Sequence, residues 1–223
     1  MSGSPDSHDG GTASRRLFGL YPALVTNIVD PLAQGRVQVA FPWLGEVGVD
    51  VRAWARLVSL YADDDQGWQI LPEVDSEVVV GFEAGAIERP YVVGAVWNGR
   101  EALPQTAEAA NNRRLLKTRS GTLLEFDDSA GAAKVTLRLQ SGHQLVLDDA
   151  ALSVTLKHSN GCELVMNAGG QVKITANSTV EVTASAVNVH APMVTCDGVL
   201  QCQTLITQSV VSPMYTPGAG NIW

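Results

Sequence analysis

Apolar and polar residues alternate along most of this chain, in short runs cut by turn formers. In the first hundred residues the runs are Leu20 to Val29, Arg36 to Phe41, Val51 to Ser59, Glu77 to Phe82 and Tyr91 to Trp97. Asp30-Pro31, Gly35, Pro42, Gly45, Gly67, Pro72, Gly85, Pro90 and Gly99 separate them. The pattern predicts five strands, and no helical periodicity is long enough to compete. Five short strands in about 85 residues fit a small closed barrel of the OB type.

Beyond residue 100 the pattern changes. Residues 101–112 are small and polar with one proline, and read as a linker with room for one helical turn. After it the chain repeats. Ser120-Gly121 opens a run ending Phe126-Asp127-Asp128, and Ser141-Gly142 opens one ending Leu147-Asp148-Asp149. Ser159-Asn160-Gly161 opens a third, ending Met166-Asn167. Val135, Leu137 and Leu139 share one face, as do Leu152, Val154 and Leu156. Val172 with Ile174, Val180 with Val182, and Val187 with Val189 continue the period of two. The recurring Asp pairs read as turn punctuation, because paired carboxylates for hydrolysis would not recur with the repeat.

The rings are unevenly placed. Phe18, Tyr21, Phe41, Trp43, Trp54, Tyr61, Trp68, Phe82, Tyr91 and Trp97 lie in the first half, and only Phe126, Tyr215 and Trp223 follow. Large rings are expected to fill a globular core in the first half, and a core too narrow for them in the second. Each later strand offers one slim, β-branched face that a single chain cannot bury. Three identical chains wound about one axis would bury all these faces and leave no long edge. About ten strands stacked at about 4.7 Å give a prism roughly 50 Å long. A single-chain β-solenoid is the alternative, although its turns are usually longer than these segments allow.

The predicted organisation is all-β: a leader over 1–14, a five-stranded OB barrel over 15–100 and a linker over 101–112. An intertwined triple-stranded β-helix over 113–205 and an apical segment over 206–223 complete it. The leader is polar, is expected to be disordered, and lacks the apolar run of a signal peptide, so synthesis in the bacterial cytoplasm is expected. The chain has 223 residues and a formal net charge of −8. That balance, with scattered arginines, argues against binding nucleic acid, which wants a basic groove interleaved with rings. Cys162, Cys196 and Cys202 follow no zinc spacing. They read as buried reduced thiols, with disulfides between subunits as the alternative.

Several blocks together carry a family resemblance. Asp30-Pro31, then Gly35-Arg36-Val37, Val39 and Pro42, follow an alternating strand. A second block runs Ala55-Arg56-Leu57-Val58, Gly67-Trp68 and Leu71-Pro72-Glu73-Val74. It continues with Glu77 to Glu83, Arg89-Pro90-Tyr91-Val92-Val93-Gly94 and Trp97-Asn98-Gly99. The third is Lys117 to Gly121 with Phe126-Asp127-Asp128. From about residue 17 to about 195 the chain resembles the baseplate-assembly V and VgrG spike family. The resemblance implies an OB collar seated on a trimeric hub protein, a homotrimeric needle, and a membrane-puncturing role in a contractile phage tail or phage-tail-like particle. It also implies transient contact with the target outer membrane. A type VI-like or extracellular injection system carrying effector or tip cargo is the alternative, as is a trimeric receptor-binding fibre. No fused hub domain or lysozyme-like insert is recognised, so the hub is expected on a separate polypeptide.

Nothing in the sequence places an acid, base or nucleophile for catalysis, so no enzymatic activity and no cofactor are expected. Asp63-Asp64-Asp65 lacks the spaced ligands of a calcium loop and reads as a solvated turn. His143 and His158 sit at repeat turns. Similar spikes hold an apical metal through His-x-His; around His190 those positions are Asn188 and Pro192, which leaves His190 a weak metal candidate. From Val182 onward the only carboxylate, lysine or arginine is Asp197. Val210, Val211, Met214, Tyr215, Ile222 and Trp223 crowd that end and read as a partner-binding platform. The resemblance implies a conical tip protein of the proline-alanine-alanine-arginine (PAAR) repeat type there. A tail folded back to plug the prism is the alternative.

Overall fold

The computed structural model describes residues 16–45 and 50–214. Strands β1 (Leu20–Asn27), β2 (Arg36–Ala40), β3 (Arg52–Leu57), β6 (Glu77–Phe82) and β7 (Pro90–Ala95) close into a barrel in the order β1-β2-β3-β7-β6. Between β3 and β6 lies a two-rung hairpin of β4 (Ala62–Asp63) and β5 (Gln66–Gly67). Every barrel pairing is antiparallel except β3 with β7, where Arg56 faces Tyr91. Each of the five predicted barrel strands is present.

Alternation explains the core. Ala23 and Val25, Val37 and Val39, Ala55, Val78 and Val80, and Val92 point inward from successive strands, each at most 1% exposed. The branched valine suits a pleated surface, and its bulk fits the narrow interior of a five-stranded barrel. The expectation that rings fill this core is corrected: Phe41 is the one fully buried ring among the described residues. Tyr21, Trp43 and Phe82 pack around it at one end, with Tyr21 stacked on Trp43 at 4.7 Å. Phe18, Trp68 and Trp97 remain largely exposed. A tight barrel has no room for indoles; they go to its rim.

The linker forms turns, without the helical turn allowed for it; the Asn111 N–H donates to the Glu108 carbonyl. Seven strands follow: β8 (Arg113–Lys117), β9 (Leu123–Asp127), β10 (Lys134–Arg138), β11 (Gln144–Asp148), β12 (Ser153–Lys157), β13 (Glu163–Met166) and β14 (Val172–Thr175). Each pairs antiparallel with the next, in chain order.

The repeat is explained by its turns. At one edge of the sheet, Gly121, Gly142 and Gly161 donate to the carbonyls of Thr118, Leu139 and His158. Each glycine has a left-handed φ, of 82°, 94° and 95°. This is the three-residue hairpin loop that asks for glycine at its last position. At the opposite edge the acidic and amide residues cap the turns. Asp127 accepts from the Ser129 N–H, Asp148 from Ala151, and Asn167 from Gly169 and Gln171.

Past Thr175 the described chain runs on to Met214 with no ladder of its own. Val180, Val182, Val187 and Val189, read as further strands, are exposed and unpaired here. A strand is held by hydrogen bonds to a partner, and the described residues offer none in that stretch.

Candidate interaction surfaces

The register of the sheet sorts its side chains into rows. The central row of one face runs Leu116, Leu124, Leu137, Leu145, Leu156, Leu164, Ile174 from β8 to β14. The row beside it is Phe126, Val135, Leu147, Val154, Met166, Val172, opened by Arg114. The opposite face carries Glu125, Thr136, Val146, Thr155, Val165 and Lys173 in its central row. One face is therefore a continuous hydrocarbon surface and the other is mixed. Nothing among the described residues covers the apolar face. Phe126, Leu147, Leu156 and Ile174 are 45%, 45%, 54% and 62% exposed. A concavity of about 510 Å³ lined by Phe126, Val135, Leu147, Val154 and Met166 lies along it.

Two carboxylates are built into turns. Asp30, whose side chain is 4% exposed, accepts from the Nε and Nη2 of Arg36 at 3.0 and 2.8 Å. It also accepts from the backbone N–H groups of Leu32, Gln34 and Arg36. The Arg36 guanidinium holds the Asp30 carboxyl far below the usual carboxylate range, against the opposing effect of desolvation, and the backbone donors add to it. This is the physical reason for the Asp-Pro and Gly-Arg spacing: one carboxylate ties the whole β1–β2 loop. Asp127, at 6% exposure the one buried charged residue among those described, caps its turn through the Ser129 hydroxyl and N–H. Those two donors lower its pKa, with Arg113 and Lys134 adding smaller effects.

His143 and His158 face each other across β11 and β12, ring centroids 4.2 Å apart. Their Nδ1 atoms accept from the Ser159 and Asn160 N–H groups. They sit beside turns as expected; their mutual contact needed the register and was not legible from spacing. His190 is exposed, and among the described residues no group of three His, Cys, Asp or Glu side chains could hold a metal ion. The His-x-His arrangement is not met by Asn188 or Pro192. Cys162 is half-buried and next to His158 in the ladder, whereas Cys196 and Cys202 are exposed, which corrects their reading as buried in this chain.

Of the platform residues, Val210, Val211 and Met214 are 63%, 97% and 87% exposed, and Tyr215, Ile222 and Trp223 lie outside the described residues. Asp63-Asp64-Asp65 forms the tip of the β4–β5 hairpin, a solvated turn as predicted, with Asp65 at φ 51°. No helix among the described residues is long and apolar enough to cross a membrane.

Comparison with known proteins agrees with this geometry. Residues 21–97, the span of the closed barrel, match the family model of the type VI secretion system/phage-baseplate injector OB domain. Over 131 residues, 54% of the chain, it is 30% identical to the type VI secretion system spike protein VgrG1a of Pseudomonas aeruginosa. It is 30% identical over 111 residues, 47% of the chain, to VgrG5 of the same organism. Over 132 residues, 56% of the chain, it is 24% identical to the actin cross-linking toxin VgrG1 of Vibrio cholerae. These matches cover 20%, 14% and 12% of the three relatives, so the chain spans a fifth or less of their length. The barrel therefore matches the injector OB domain of the type VI secretion and phage-baseplate kind, and about half of the chain is similar to part of the VgrG spike proteins.

Proposed function

We propose that this chain forms the trimeric puncturing needle at the centre of a contractile phage tail or phage-tail-like baseplate. The observation that carries the reading is the uncovered apolar face of β8–β14. A chain that exposes a whole ladder of Leu, Val, Ile and Met to water gains by covering it, and the missing rings leave a slim core suited to three copies on one axis. Three sheets facing inward form a prism with its mixed faces outward. Residues 176–205, without a ladder in one chain, find strand partners in the other two copies and wind into the triple-stranded β-helix. Backbone hydrogen bonds shared among chains stiffen the needle, because no layer opens without breaking contacts to its neighbours.

In this reading the barrel end sits on a trimeric baseplate hub, and the uncharged segment around Val210, Val211 and Met214 receives a PAAR-type tip protein. The needle does mechanical work and carries no active site. The relatives' names favour a second reading, a spike of a type VI-like injection system. Deleting residues 215–223 tests the platform: the trimer survives by native mass spectrometry while capture of a purified PAAR-type protein is lost. Dissolution of the trimer by that deletion overturns the platform and makes the segment a plug. Negative-stain images of particles bearing the labelled chain separate a contractile tail from a membrane-anchored secretion machine.

A further inference from the structure

The β4–β5 hairpin between β3 and β6 contributes no residue to the barrel core. All residues from 59 to 70 are exposed except Ser59, which is half-buried; Leu60, Tyr61, Trp68 and Ile70 are 93%, 51%, 56% and 51% exposed. It is nevertheless firmly built. The Ser59 hydroxyl reaches the Tyr61 and Trp68 carbonyls, Trp68 N–H donates to Tyr61 at 2.8 Å, and the Tyr61 hydroxyl donates to Gln66. A Cβ on Gly67, at φ 151°, would stand 2.8 Å from the Tyr61 carbonyl oxygen. The hairpin is a preformed finger with an apolar stem and a tip of three aspartates, none ion-paired among the described residues.

The same chain carries a complement. On the mixed face of the sheet, one row runs Lys117, Leu123, Arg138, Gln144, Lys157 and continues through Glu163 to Thr175. Its three cations are exposed, and none is ion-paired among the described residues. The root of the finger lies at the height of this stripe: Glu73 takes the Arg119 guanidinium at 3.0 Å, in the turn that follows Lys117. From Ser59 to Asp64 the finger reaches about 17 Å at about 3.3 Å per residue. Alternate strands of the stripe are about 9.6 Å apart at about 4.8 Å per strand, so the finger, at about 17 Å, is long enough to span two cations. Within one chain, no hydrogen bond or ion pair joins finger to stripe among the described residues.

We propose that the finger of each copy clasps the cationic stripe Lys117–Arg138–Lys157 of the next copy in the trimer. The contact is head-to-tail, and a threefold axis closes it into a ring. It places the acidic tip over the lysine and arginine heads, and lays Leu60 and Trp68 along their hydrocarbon stems. The clasp rests on the trimeric reading and adds to it a lock between the collar of one chain and the needle of its neighbour.

The test uses the full chain with Cys162, Cys196 and Cys202 replaced by Ser and a new pair, Asp64→Cys with Arg138→Cys. A short bismaleimide reports approach on denaturing gels. The expected result is a ladder reaching covalent trimer in most of the protein, absent from either single variant. Monomer bands alone, whether through a link within one chain or no link at all, overturn the clasp. Native mass spectrometry of the unlinked sample tells the failures apart. Three copies without a ladder sinks the clasp alone, and any other stoichiometry sinks the trimeric reading with it.

Discussion

Leu145 offers the sharpest test of what the apolar face is for. It lies mid-strand in β11, in the leucine row between Leu137 and Leu156. Eight residues of this face, from Leu116 to Ile174, keep 39% to 62% exposure in the single chain. Burying a leucine-sized side chain is worth about 1.5–3 kcal/mol, so covering half of one gives about 1 kcal/mol. The face then gains on the order of 8 kcal/mol per chain on assembly, before the costs of association. Leu145→Asp forfeits its own share and inserts an unpaired carboxylate, at about several kcal/mol per buried ion, three times per trimer. Val146, its neighbour on the strand, points to the mixed face between Thr136 and Thr155. Val146→Asp costs about 1 kcal/mol in strand preference and leaves the interface untouched. Light scattering at micromolar protein is expected to show trimers for wild type and Val146→Asp, and monomers or unfolded chain for Leu145→Asp. Trimers of equal stability from both variants would refute the burial of this face.

Two further expectations follow from the barrel and from the chemistry present. Asp30 contributes stability that is complete above its ordinary value of 3.8 and is lost as the pH falls below it, because the folded carboxyl holds its charge to lower pH than the unfolded one. Asp30→Asn should therefore lower the barrel's melting midpoint at pH 7 by more than Asp63→Asn does, and flatten its acid dependence below pH 4; identical melts at pH 7 would sink the account. Purified protein should leave peptidoglycan, glycan and ester substrates intact in turnover assays, and activity abolished by a single Asp or His substitution would show that the chemistry was misread.

The sequence by itself determined the strand inventory of the barrel, because inward valines at every second position and Pro or Gly between runs leave few other options. It also determined the turn chemistry of the second half. Ser-Gly and Asp-Asp recur there because a left-handed glycine and a capping carboxylate are local demands, met within a few residues. The Asp30–Arg36 tie was visible as a motif, although its fan of hydrogen bonds appeared only in the fold. Tertiary structure alone decided which residues share a row. That Leu116 lines up with Ile174, that His143 meets His158, and that Lys117, Arg138 and Lys157 form a stripe all depend on register, which sums small offsets at each turn. It also decided where the rings went. Composition counts aromatic mass, but only barrel closure sets how much volume lies inside, and Phe41 took it, leaving Trp68 and Trp97 outside. The unpaired stretch after Thr175 marks the same boundary from the other side: its alternation is written in the chain, whereas no ladder for it forms among the described residues.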